Sequence, residues 1–306
     1  MTVPADGTRR LMTVAERAAD LGYGAGWRLV RAVPEPVART AFTRGADLAA
    51  RREGPGVRRL RANLARVCPG VGPGELDALV RAGVRSYARY WREAFRLPAM
   101  DAEALAGRVD PLVEGREHLD DALATGRGAV VALTHSGNWD VVGAWAVRRY
   151  GGFTTVAERL RPDSLYERFV AYRESLGFEI LPMTGGEAPV RGLLRTLHAG
   201  RIVCLVADRD LSVHGVDVDF FGARASMPPG PAALAAATGA ALLPLGCWFT
   251  DDAVGGEGWR FRINPPVTVP DRESVPAATQ EMAHVFASEI AEHPADWHML
   301  QRVWRD

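Results

Sequence analysis

No lysine occurs among the 306 residues, so all 37 basic side chains are arginine. A genome-level preference for arginine codons suffices to explain that and demands no function. Cysteine is almost as scarce. Cys68, Cys204 and Cys247 are scattered and no Cys-x-x-Cys pair occurs, which excludes a disulfide framework and gives no zinc-site spacing. Cys204 and Cys247 lie in apolar, strand-like runs and read as buried thiols, compatible with a reducing cytoplasm. There is no Gly-x-Ser-x-Gly elbow, which argues against a hydrolase-type serine nucleophile. Behind the two arginines of the opening M-T-V-P-A-D-G-T-R-R comes no long apolar stretch, so no secretory signal is expected. Residues 225–250 lack any charged side chain, but Pro228, Pro229, Pro231, Gly239 and Pro244 interrupt them. They read as loop, alanine-rich helix, glycine stop and buried strand, not as a membrane-spanning helix.

What is present is an ordinary globular composition, 47% hydrophobic and 24% charged, with a formal net charge of zero. The charge is unevenly placed. Residues 1–70 carry 13 Arg against 6 Asp or Glu, and the remainder carries the compensating negative charge. Overall neutrality and the lack of a nucleic-acid-reading motif exclude nucleic acid as a partner. The length fits a single domain over 1–306, with a helical section at 1–114 and an α/β core at 115–306.

Periodicity supports that division. Leu11, Val14, Ala18, Leu21 and Trp27 recur at helical spacing until Pro34 and Pro36. Helices are expected at 37–52 and 58–67, separated by a Gly54-Pro55-Gly56 turn, and at 73–96, ended by Pro98. Beyond residue 115 strands and helices alternate. Strands are expected at 126–134, 153–156, 179–182, 201–207, 216–221, 241–249 and 259–263. Helices are expected at 142–149, 164–176, 189–199, 231–238 and 274–293. This predicts an α/β fold: a central, mostly parallel twisted sheet flanked by helices, preceded by a helical N-terminal section. Ligands of such sheets gather where strands end, and polar clusters follow Thr134, Val156 and Ala207.

The first of these clusters is H-S-G-N-W-D, residues 135–140. A histidine just past a buried strand, with a carboxylate one turn later at a helix start, has a chemical use. Asp140 can accept from one ring nitrogen of His135, fixing the tautomer, and the other nitrogen can then take a proton from a hydroxyl. The spacing alone is a common coincidence, and a loop histidine is the plain alternative. Two Asp-x-Asp runs, 208–210 and 217–219, raise a rival: a metal-dependent nucleotide-sugar glycosyltransferase acting on a lipid acceptor. No glycine-rich phosphate loop accompanies them, and no metal or resident cofactor is expected.

Taken together, the blocks A-L-T-H-S-G-N-W-D (132–140), E-R-L-R-P-D-S-L-Y-E-R-F-V-A-Y-R-E-S-L-G-F (158–178), A-D-R-D (207–210), V-D-F-F-G-A-R-A-S-M-P-P-G-P (218–231) and H-P-A-D-W-H-M (293–299) resemble, in order, those of the bacterial lysophospholipid and lipid A acyltransferase superfamily. N-terminal stretches such as L-G-Y-G-A-G-W-R-L-V-R-A-V-P-E-P-V-A-R are closer still to the actinobacterial phosphatidylinositol mannoside acyltransferases. The resemblance implies acyl transfer from acyl-CoA, palmitoyl-CoA for preference, to a mannosylated phosphatidylinositol. His135, Asp140 and Asp208 would be catalytic, although Asp208 stands where that branch carries a longer Glu. Asn138, Glu158, Arg161, Arg173, Arg209 and Gly230 would bind substrate. For Arg173, pairing with Glu167 or Glu174 along its helix is an equal reading. Tyr87, Tyr90, Trp91 and Phe95 suit either core packing or an acyl groove. The arginine-rich amphipathic N-terminal helices suit an anionic membrane surface or simple solvation, and the resemblance places the chain peripherally on the cytoplasmic face of the plasma membrane.

Overall fold

The computed structural model describes residues 27–157, 163–182, 189–210, 212, 214–252 and 256–305. Of the first expected helix only its end lies within them, and residues 27–32 are helical. Glu158 and Arg161 fall outside the described residues.

Proline sets the starts of the next three helices: α1 (Glu35–Arg52), α2 (Pro55–Val67) and α3 (Pro73–Arg96). A proline in the first turn loses nothing, because those N–H groups have no partner inside the helix. The expected turn at 54–56 is therefore only Gly54, and Pro55 already opens α2. At the head of α3 the Glu75 carboxylate accepts from the Gly72 N–H at 3.0 Å. These helices close around Ala46, Val57, Leu60, Leu64, Val80 and Val84.

Next come α4 (Ala102–Val109), β1 (Val113–Glu114) and α5 (Arg116–Ala124), none of which the periodicity had signalled. They are short and borrow their order from neighbours; the Trp145 indole, for example, donates to Asp110 at 3.0 Å. The alternating region then gives β2 (Ala129–Leu133), α6 (Trp139–Tyr150), β3 (Phe153–Ala157), α7 (Asp163–Ser175), β4 (Glu179–Pro182), α8 (Pro189–His198) and β5 (Ile202–Val206). It continues with β6 (Val216–Phe220), β7 (Ala223–Met227), α9 (Gly230–Thr238), β8 (Ala241–Asp252), β9 (Gly256–Ile263) and α10 (Val275–Glu292).

Seven strands form one sheet in the order β1-β9-β8-β2-β5-β3-β4. Five of them, β8, β2, β5, β3 and β4, run parallel, and β9 turns back antiparallel to β8. The fold is thus the expected α/β class, a mostly parallel sheet flanked by helices with a helical section before it. One face packs on α8, α9 and α10 through residues such as Val203, Leu205, Met282 and Phe286. The other packs on α4, α5 and α6 through Val131, Val141, Trp145 and Leu243. Residues 225–227, expected as the start of a loop, instead belong to strand β7 (Ala223–Met227). They pair with β6 in a separate two-stranded ribbon, turned by Phe221 and Gly222, both at positive φ (53° and 69°), the conformation a two-residue hairpin demands.

The chain skips from β2 to β3 and returns to β5 between them. This leaves the C-terminal ends of β2 and β5 side by side at the middle of the sheet, the crevice where such folds bind ligands.

Candidate active site

Parallel register builds the centre of the site. β2 pairs β5 with Ala129 opposite Ile202 and Leu133 opposite Val206. Two residues further along each chain, the same register brings His135 beside Asp208. His135 Nδ1 lies 2.6 Å from Asp208 Oδ1, and the His135 backbone N–H donates to Asp208 Oδ2 at 3.0 Å. Asp208 is completely buried, whereas the His135 side chain remains 34% exposed. The carboxylate only accepts, so Nδ1 carries the hydrogen, and in the neutral ring Nε2 keeps its lone pair. The imidazole rests edge-on against Trp139, centroids 6.0 Å apart. Burial raises the proton affinity of Asp208, but the His135 ring, its hydrogen bonds and the Trp297 indole outweigh burial and hold the carboxyl below its usual range.

Asp140 does not make the hydrogen bond that the His-x4-Asp spacing suggested. Asn138 caps α6, its side-chain oxygen accepting from the Val141 N–H at 3.2 Å. That start turns Asp140 toward α3 and α7. Its carboxylate accepts from Arg173 Nε at 3.0 Å and from the hydroxyls of Tyr90 at 3.0 Å and Tyr172 at 3.4 Å. Burial, reinforced by the Asp140 charge, pushes both phenols well above their ordinary range, so they stay donors. Burial disfavours the Arg173 cation, but Asp140 more than compensates and leaves it above the ordinary arginine value. Neither Glu167 nor Glu174 is the partner of this guanidinium.

The other expected residues fall as follows. Asn138 is fully buried, and its amide donates to Glu93 at 2.7 Å, so it anchors the loop to α3. Arg209 follows Asp208 directly, and its Nη1 is buried without a hydrogen-bond partner among the described residues. Gly230 opens α9 and takes no part in the contacts of the His135–Asp208 pair among the described residues. Of the two Asp-x-Asp runs, Asp208 is engaged by His135, and Asp217 pairs with Arg224 and, at 2.9 Å, with Arg305. Ser136, the neighbour of His135, is buried and accepts from the Thr134 hydroxyl at 2.8 Å. It does not share the imidazole.

Gly137 shows why this loop is narrow. Its φ is +55°, and an added Cβ would stand 2.7 Å from both the carbonyl oxygen and the Sγ of Cys247. Its N–H donates to the Asp296 carbonyl at 3.0 Å.

Near the pair, bounded by the Trp139 ring that meets the His135 imidazole, lies a narrow apolar cavity of about 80 Å³. Leu133 and Val206, the last residues of β2 and β5, and Trp139 line it near His135; Gly143, Phe153 and Phe178 line it deeper. Asp140 and Arg173 form its polar wall. Cys204 lines it too, its thiol pushed up to about 12 by burial and so kept protonated. Tyr90, stacked on Trp139 at 4.2 Å, brings α3 onto this wall.

Sequence reasoning left Tyr172, Ser86 and residues 296–298 off the site, and gave Tyr90 only as core packing or part of an acyl groove. The Ser86 hydroxyl lies 2.5 Å from Asp296 and 2.8 Å from His298 Nε2, and the His298 N–H donates to the His135 carbonyl at 2.7 Å. Burial first, and the nearby His135 second, push the His298 ring down to about 3, so it remains neutral beside the pair. The H-P-A-D-W-H-M run was the available signal for this last segment.

Residues 8–306 match the family described as bacterial lipid A biosynthesis acyltransferases. Over 294 residues the chain is 54% identical to a Mycobacterium tuberculosis protein named phosphatidylinositol mannoside acyltransferase, covering 95% of this chain and 90% of that one. Over 287 residues it is 56% identical to the protein of that name from Mycolicibacterium smegmatis, covering 93% and 91%.

Proposed function

The chain belongs to the bacterial lipid A biosynthesis acyltransferase family, and on that premise we propose that it moves a fatty acyl group from acyl-CoA to a hydroxyl of a mannosylated phosphatidylinositol. The observation that carries this reading is the His135–Asp208 pair at 2.6 Å, its imidazole partly open, with Trp139 against both that ring and an apolar cavity. The names of the two mycobacterial relatives supply the acceptor class.

The chemistry follows from the hydrogen bonds. Asp208 holds Nδ1–H, so Nε2 is the base. It takes the proton of a sugar hydroxyl as that oxygen attacks the thioester carbonyl. The tetrahedral oxyanion collapses, the carbon–sulfur bond breaks, and the CoA thiolate leaves, to be protonated by the imidazolium or by solvent. A covalent acyl-serine is not favoured, because the Ser136 hydroxyl is buried against Thr134. The apolar cavity suits the acyl chain. Arg209, whose buried Nη1 has no partner among the described residues, suits a phosphate of either substrate.

The acceptor is a lipid, so the chain must reach a bilayer. Among the described residues no helix is long and apolar enough to cross one. The N-terminal helices expose Leu29, Val37 and Leu48 in an arginine-rich surround. Such a surface suits the anionic cytoplasmic face of the plasma membrane, with the protein held peripherally.

The test is an assay of purified protein with palmitoyl-CoA and a mannosylated inositol phospholipid. His135→Ala is expected to lower the rate by at least about 10²-fold, the scale of a lost general base. A drop under about threefold removes the assigned role.

A further inference from the structure

Asp208 has two oxygens and three donors. Oδ1 takes the ring of His135, while Oδ2 takes two N–H groups: the His135 backbone at 3.0 Å and the indole of Trp297 at 2.9 Å. Trp297 lies 89 residues away in sequence and is completely buried. Its ring is fixed edge-on by Phe220 and Trp304, with centroids 6.2 and 6.1 Å away. The backbone around it is tied to the same loop as the imidazole. Ser136 bridges to Trp297, the Gly137 N–H donates to Asp296, and the His298 N–H donates to His135.

We propose that Trp297 is a positioning residue of the reaction, its indole N–H holding the Asp208 carboxylate in the one rotamer that presents Oδ1 to His135. The proposal rests on the acyl-transfer reading and on the assignment of Nε2 as base. Without the indole, both remaining donors, the ring and the backbone N–H, belong to His135 itself and move with its loop; the indole holds Oδ2 from a separate segment and so fixes the carboxylate relative to that loop. In a site shut off from water, nothing else replaces a missing donor. The neighbouring groups offer no substitute. Asp296 is occupied by Ser86 and the Phe249 N–H, and the neutral ring of His298 bonds Ser86. Arg209, next in the chain, contributes no hydrogen bond to Asp208 among the described residues.

Trp297→Phe removes the N–H and keeps an aromatic ring against Phe220 and Trp304. Turnover is expected to fall about tenfold to a hundredfold, the value of a hydrogen bond to a charged group, with KM for both substrates unchanged. The acid limb of the pH–rate profile is expected to move to higher pH, because one of the bonds that keeps Asp208 ionised is gone. In an Asp208→Asn background the same substitution is expected to change turnover less than about threefold, since there is no carboxylate left to orient. Should the smaller phenyl ring unfold the protein, 3-benzothienylalanine at position 297 keeps the indole shape without the N–H and is read the same way. Equal losses in both backgrounds, or a loss confined to KM, overturn the proposal and leave Trp297 a packing residue. Full activity of Asp208→Asn alone overturns the acyl-transfer assignment of the pair together with it, whereas a crippled Asp208→Asn with an unaffected Trp297→Phe overturns this inference only.

Discussion

Asp140 and Arg173 form an ion pair in the wall of the apolar cavity, Oδ1 to Nε 3.0 Å, with the Asp140 side chain 1% exposed and that of Arg173 20%. The hydroxyls of Tyr90 and Tyr172 complete the carboxylate's partners. Removing one member of such a pair strands the other. Asp140→Ala is therefore expected to destabilise the protein by about 3 kcal/mol or more, read by urea or thermal unfolding. Activity is lost through the fold and the cavity wall, so the fraction that remains folded keeps the pH profile of the wild type.

Asp208 behaves differently. Asp208→Asn is expected to lower turnover by about 10²-fold or more, because the amide no longer selects the Nδ1–H tautomer of His135. It also carries a pH signature. The native carboxyl lies below its ordinary 3.8, so the stability it contributes is complete above that value and is lost as pH falls through the native one. The stability gap between wild type and Asp208→Asn is thus expected to be widest near neutrality and to close below about pH 4. A gap that widens on acidification contradicts this assignment.

Gly143 on α6 lines the cavity where an added Cβ would sit 2.6 Å from the Phe178 ring and 3.1 Å from that of Phe153. Gly143→Ala is expected to shorten the usable space and lower the ratio of palmitoyl to shorter-chain transfer, with an overpacking cost of about 1–3 kcal/mol. Phe178→Ala in the same chain is expected to restore the ratio. Rates measured across an acyl-CoA length series check both.

Arg209 is the cation next to Asp208 with a buried, unpartnered nitrogen. Arg209→Gln breaks no hydrogen bond of that nitrogen among the described residues, so any effect is expected in binding before stability. KM for one phosphate-bearing substrate is expected to rise about tenfold or more. A KM unchanged for both substrates removes Arg209 from the binding role.

Local pattern determined much of this protein before any tertiary information. Proline marked the breaks before α1 to α3 and the start of α3 at Pro73, although α1 and α2 begin two and three residues before the expected 37 and 58; apolar runs gave β2 and β5, and alternation of strand and helix gave the sheet class, because each is a property of neighbouring residues. The loops after β2 and β5 were legible as places where polar residues gather, and the structure brings His135 and Asp208 together there. Short elements escaped. α4, β1 and α5 owe their order to partners such as Trp145, and β7 exists only because β6 lies against it.

The sequence offered two carboxylates, Asp140 by spacing and Asp208 by resemblance, and only the tertiary structure decided which of them orients the imidazole. Proximity in sequence nominated Asp140, but the Asn138 cap fixes the helix phase and sends that carboxylate to Arg173. Asp208 holds the ring because β2 and β5 pair at a fixed offset, Leu133 beside Val206, and a parallel register carried two residues on sets His135 against a side chain 73 residues away. Trp297 joins them from near the other end of the chain. Strand register and the packing of distant segments are collective outcomes of burial, which no spacing within a single loop can encode.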